Sequence, residues 1–214
     1  MNANEREGTR MTLELVTPPA ELAIALADVK AHLRVDCDDD DALITAYVQA
    51  AAAKVEDDTG RALIEQTWRL TLPRWPVCHD GRQRIYVPRP PLLSVESLSY
   101  IDAAGDAQAL VEDVDFSTYP DHAWFAALGP VYGTNWPAVR SQPDAIVLEF
   151  KAGFETAADL AEREPLLVAA VRLLVAELYA QREEAAPASR MIVPLAARRL
   201  IATRVVHASG AENE

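Results

Sequence analysis

Cysteine is nearly absent from this chain of 214 residues: Cys37 and Cys78 are the only two. That excludes a disulfide-dense scaffold and a four-cysteine zinc site. A reduced, cytoplasmic protein is the expectation. Glycine is scarce, with eight residues, and neither GxxxxGK[ST] nor GxGxxG occurs, so no glycine-rich phosphate cradle is encoded. The four histidines, His32, His79, His122 and His207, have no HExxH spacing, and no GxSxG elbow is present. Long hydrophobic runs are missing too. The longest, Pro165 to Val171, ends at Arg172, far short of the roughly 20 residues a membrane helix needs. The first ten residues are polar and do not form a signal peptide. Positive charge is in short supply: 20 Lys and Arg against 33 Asp and Glu give a net charge of −13. A summed field of that sign repels phosphate, so a basic wrapper of DNA is excluded.

What remains is globular. Half the residues are apolar and a quarter charged, enough for a real core. The texture runs helix, strands, helix, tail. Glu21 to Val35 suits a short helix with Leu22, Leu26, Val29 and Leu33 on one face. A second helix is expected from about Asp39 to Thr59, because Ile44, Tyr47, Val48, Ala51 and Val55 keep helical period. One of the aspartates in 36–41 serves as its N-cap, and Gly60 ends it in a left-handed conformation. Asp57 and Asp58 stand at the end where the helix dipole disfavours acids; a solvated helix end accounts for them, and a contact with a basic partner is the second reading.

From Leu63 to Phe154 the apolar period falls to two, as in Trp68, Leu70 and Leu72. Ile85–Val87, Leu93–Ile101 and Ala145–Phe150 read as strands, 115–119 and 122–125 as shorter ones, and 102–105 as a hairpin turn. A small antiparallel β-domain inserted between helices is expected. Glu164 to Arg182 is the strongest helix: Leu167, Ala170, Val171, Leu174, Val175 and Leu178 make one stripe, and Leu166, Val168 and Leu173 widen it. A helix so apolar needs covering from more than one side, by the β-domain or another subunit. The fold class is therefore α+β, with a leader at 1–14, a helical core at 15–62 and 157–184, a β-insertion at 63–156 and an extended arm at 185–214.

The residues offer little chemistry. Cys78–His79 sits in a turn, and the acidic run 36–41 lacks the glycine and twelfth-position glutamate of a calcium loop. No catalytic residue, metal ligand or cofactor is expected. Trp68, Trp75, Trp124 and Trp136 all fall in the β-segment, where packing explains them better than ligand stacking. Charge, in contrast, is strongly polarised. Met11 to Glu65 holds 12 acids and 4 bases, whereas Ala185 to Gly210 holds Arg190, Arg198, Arg199 and Arg204 and no acid.

The order of short motifs is the most specific feature. TGRALIEQTW (59–68) is followed by PRPPL (88–92), a Tyr100–Ile101–Asp102 hairpin, Trp136–Pro137, KAGF (151–154) and a helix ending LYAQRE (178–183). Over residues 15–184 this resembles the head–tail connector (adaptor) proteins of tailed bacteriophages and prophages, in the branch with a β-insertion that also occurs in gene transfer agents. The resemblance implies a structural role. Such adaptors form a ring, commonly of twelve subunits, under the portal protein. They present their other side to a stopper or tail-terminator protein and let DNA pass through the lumen. The particle is assembled in the bacterial cytoplasm without a membrane partner. Position and charge then assign portal binding to Arg190, Met191, Ile192, Val193, Arg198, Arg199 and Arg204. Leu166, Leu173, Asp57 and Asp58 are expected at the subunit interface. Two other readings are weaker: a ligand-binding or enzymatic module around His122, Trp124 and Trp136, and a DNA-binding regulator using Arg190 to Arg204.

Overall fold

The computed structural model describes residues 11–77, 83–121, 125–181 and 194–206. The chain divides into two compact units, and among the described residues it crosses between them after Pro18, Glu65 and Gly153.

Among the described residues the β unit holds eight strands: β1 (Thr12–Thr17), β2 (Gln66–Leu72), β3 (Ile85–Val87), β4 (Leu92–Ile101), β5 (Ala107–Leu110), β6 (Phe116–Asp121), β7 (Phe125–Pro130) and β8 (Ile146–Ala152). They form a five-stranded sheet, β1-β2-β8-β4-β5, and a three-stranded sheet, β3-β7-β6. All pairings are antiparallel. The period-two reading of β2 holds. Trp68, Leu70 and Leu72 are buried and lie opposite Phe150, Leu148 and Ile146 of β8, which are buried too. The register puts Arg69 opposite both Glu149 and Glu14 on the other face. Asp102 organises the β4–β5 turn: its Oδ1 accepts the backbone N–H of Ala104, Gly105 and Asp106.

The helical unit contains α1 (Leu26–Leu33), α2 (Asp41–Thr59), α3 (Ala157–Arg163), α4 (Pro165–Ala180) and α5 (Leu195–Ala202). Ile44, Val48, Ala51 and Val55 of α2 meet Leu167, Val171, Leu174 and Val175 of α4 in one core, joined by Ala197 and Ile201 of α5. Gly60 caps α2 at φ 70°, its N–H donating to Glu56 O at 2.9 Å, as its position implies. Among the described residues no helix is long and apolar enough to cross a membrane.

Several expectations need correction. Residues 12–17 form a strand paired with β2, so 12–14, expected within the leader at 1–14, belong with the sheet. The mixed polarity of β1 carries little strand signal, and only backbone pairing to β2 reveals it. The first helix starts at Leu26 instead of Glu21. Ala23 and Ile24 are buried in irregular backbone, and Glu21 is engaged elsewhere, accepting the Ala157 N–H at the start of α3. Asp40 precedes α2 without a side-chain cap bond. Its Oδ2 accepts the Tyr179 hydroxyl at 2.6 Å instead, tying the end of α4 to the start of α2. Pro165 separates α3 from α4. The described part of the C-terminal arm is not extended: α5 folds into the helical core.

Candidate assembly surfaces

The motif 59–68 builds a junction. Thr59 is buried and its hydroxyl donates to Val55 O at 2.6 Å. Gly60 turns the chain, and Arg61 then enters the interior with only 1% of its surface exposed. There its Nη1 meets Glu164 Oε1 at 3.2 Å. Glu164, 4% exposed, sits between α3 and α4 and also approaches Arg204 Nε through Oε2 at 3.1 Å. One carboxylate thus gathers the ends of α2, α3 and α5. Burial pushes the Arg61 guanidinium below its ordinary pKa, and Glu164 opposes that shift. The Val206 N–H donates to Thr59 O at 2.8 Å and closes the same corner.

In the β unit the second motif meets the first. Arg89, at φ 59°, places its guanidinium 5.2 Å from the centre of the Trp68 ring, a cation–π contact. Trp75 stacks on Trp136 at 4.2 Å and is tilted 54° to Tyr100. The two indole N–H groups donate to Pro137 O and Gln83 O. These rings pack on one another with their donors satisfied. A groove of about 610 Å³ lies along Val77, Gln83, Arg84, Tyr119 and the 129–135 turn. Among the described residues it is lined by no histidine, cysteine or carboxylate. Among the described residues no group of three metal-ligating side chains comes together.

The other residues singled out from the sequence fall into distinct places. Arg198 and Arg199 are exposed on α5. Arg204 is not free for a partner, since it belongs to the Glu164 cluster. Arg190, Met191, Ile192 and Val193 lie outside the described residues, as do Cys78, His79, His122, Trp124 and His207. Leu173 is half-buried and packs against the bundle's own core. Leu166 is half-buried. Asp58 pairs with Lys54 one turn earlier, which offsets its unfavourable place at the helix end. Asp57 is exposed. The extra apolar surface of α4 is covered by α1, α2, α3 and α5. Sequence reasoning missed Glu164. Its only signal was an acid abutting the proline that opens the strongest helix.

Two comparisons with known proteins bear on this arrangement. Residues 23–106 match the family described as phage gp6-like head-tail connector proteins. Comparison with curated protein sequences finds no significant match. Among solved structures, the chain is similar to one in the neck of an empty gene transfer agent (GTA) particle computed with C6 symmetry. The TM-score is 0.70 at 27% identity, covering 92% of this chain and 96% of the other. It also matches chains in the virion of a native GTA particle (TM-score 0.69, 28% identity) and in a native GTA neck computed with C12 symmetry (0.66, 28%), with the same coverage of both chains. The matched residues contain the junction motif whose glycine, arginine and buried leucine set the corner described above, and the fold agrees over nearly the whole length. On these grounds the chain is similar to head–tail connector proteins over residues 23–106, and it shares the fold of GTA neck chains over nearly its whole length.

Proposed function

We propose that the protein acts as a ring-forming neck component, twelve copies of which sit under the portal protein and join the DNA-filled head to a stopper or tail-terminator protein. DNA passes through the lumen and the chain performs no catalysis. The observation that carries this reading is the agreement with GTA neck chains over 92% of this chain and 96% of theirs. The acidic balance supports it, since a lining that repels phosphate lets DNA slide without holding it. The particle is assembled in the bacterial cytoplasm.

Within this role the C-terminal segment faces the portal. Its basic character and the exposure of Arg198 and Arg199 support that assignment, and Arg190 to Val193 complete the proposed contact. Leu166 and Asp57 stay as proposed contacts between subunits, because both keep exposed surface. Leu173, which packs on the bundle's core, and Asp58, which pairs with Lys54, complete the proposed set. The test is to mix the purified protein with its portal and image the product. A ring coaxial with the portal is expected. A protein that stays monomeric and ignores the portal overturns the reading.

A further inference from the structure

The β unit carries an apolar tip that its own fold does not use. Tyr132 is 99% exposed, Val114 67% and Val111 56%. The two turns that bear them are joined, because the Val131 N–H donates to Asp115 O and Phe116 pairs with Pro130 at the open end of β6 and β7. Both turns are also held internally. Asp115 accepts the Val111 N–H through Oδ2 at 2.9 Å. Thr134 donates to Val131 O through its hydroxyl and its backbone N–H. Gly133 adopts φ 84°, and a Cβ added there would meet nothing within 4 Å, so the turn stands in open space. A large aromatic side chain on a stiff, projecting turn loses little entropy when it docks. Glu112 and Asp113, both exposed, flank it with negative charge.

The complementary surface lies in the other unit. Leu195, Arg198, Arg199 and Ala202 recur at i, i+3, i+4 and i+7 on α5 and are all exposed. Leu195 keeps 64% of its surface, while Ala197 and Ile201 on the opposite side are buried. This face has an apolar centre with two guanidinium groups beside it. It matches the tip in kind, apolar to apolar and basic to acidic, and an arginine can stack on the tyrosine ring.

We infer that the Tyr132 tip of one subunit docks on the Leu195–Arg198–Arg199 face of α5 in a second copy. This inference rests on the ring reading above. A contact between two different patches of the same chain is heterologous, which is the type that closes into rings. It also narrows the portal contact of the basic segment towards Arg190 to Val193.

Charge exchange tests it. One variant carries Glu112→Arg and Asp113→Arg, a second Arg198→Glu and Arg199→Glu, and a third carries all four changes. Rings on the portal are counted by imaging, and self-association is followed separately by sedimentation. Each double variant is expected to lose ring formation at least tenfold, and the fourfold variant to recover it. Circular dichroism confirms that the variants fold, and Tyr132→Ser supplies a second, charge-neutral disruption with the same expected loss. Double variants that assemble like the parent overturn the inference. So does a fourfold variant that stays defective while folded, which would instead leave Arg198 and Arg199 to the portal. If the unmodified chain ignores the portal, the connector reading fails, and sedimentation of the same set still decides the docking.

Discussion

Each unit holds two like-charged side chains around a shared partner of opposite sign, with the signs reversed between the units and the surroundings different. In the helical unit Glu164 sits between Arg61 and Arg204, almost out of reach of solvent. In the β unit Arg69 sits between Glu14 and Glu149 on the open face of the sheet, with Nε and Nη2 both donating to Glu149 Oε1. The chemistry is the same and its consequence is not. Water screens the surface trio and competes for its hydrogen bonds, so each pair there contributes little. Arg61 and Glu164 at the heart of the other trio face little such competition, and removing Glu164 takes away the anion paired with a buried cation.

The largest expected effect follows from that contrast. Glu164→Ala should destabilise the protein by about 3 to 5 kcal/mol, because Arg61 is left buried without its anion. Glu149→Ala should cost less than about 1 kcal/mol and should matter still less at high salt. Chemical denaturation of both variants checks this. Equal losses would break the distinction. A companion variant, Arg61→Met with Glu164→Leu, should regain much of the stability, since an apolar pair of similar volume needs no desolvated charge.

This contrast also marks what the sequence could and could not reveal. β2 and β8 were legible because period-two alternation is local. So were α2 and its stop at Gly60, where period and cap agree. Glu164 was not, because its meaning depends on Arg61, 103 positions away, and on Arg204 beyond the end of α5. Without those partners it reads as an ordinary surface acid. The basic tail was misjudged for the same reason: charge alone suggested a free arm, whereas the alternating apolar positions Ala197 and Ile201 bury one side of α5. The short strand β1 and the exact start of α1 depend on pairing and packing that no local pattern encodes. The motif 59–68 was recognisable before its purpose was, and the structure supplies the purpose: it turns a helix into a strand around a buried arginine.

A middle-sized effect tests whether the buried trio also fastens α5. Arg204→Ala removes one cation but leaves Arg61 paired, and Arg204 is about one-third exposed. A loss of about 1.5 kcal/mol is expected, smaller than for Glu164→Ala. Hydrogen exchange should localise it. The amides of α5 and of Val206, which donates to Thr59 O, should exchange faster, while those of β2 and β8 stay unchanged. Uniform acceleration through both units would instead mean that Arg204 acts on global stability and does not specifically hold the helix.

The smallest effect separates charge from geometry at two exposed carboxylates. Asp38 in the helical unit is held below its ordinary pKa of 3.8 by the hydrogen bond and charge of Lys30, which also bridges to Asp41 at 2.7 Å. Asp102 in the β unit is held below the same value chiefly by the backbone N–H of Asp106 and the Gln108 side chain, with Gly105 and Ala104 assisting. In both cases the folded pKa is depressed, so the stabilisation is complete above about pH 3.8 and is lost as pH falls through the lower folded value. Carboxyl chemical shifts followed by NMR should therefore show both midpoints below 3.8. Added salt should return Asp38 towards the ordinary value, because its partner is a screened charge. Asp102 should hardly move, because its partners are fixed amide dipoles. Lys30→Met should abolish the Asp38 shift and leave Asp102 untouched. If salt moved both equally, the turn at Asp102 would owe its acidity to long-range field and not to the local donors.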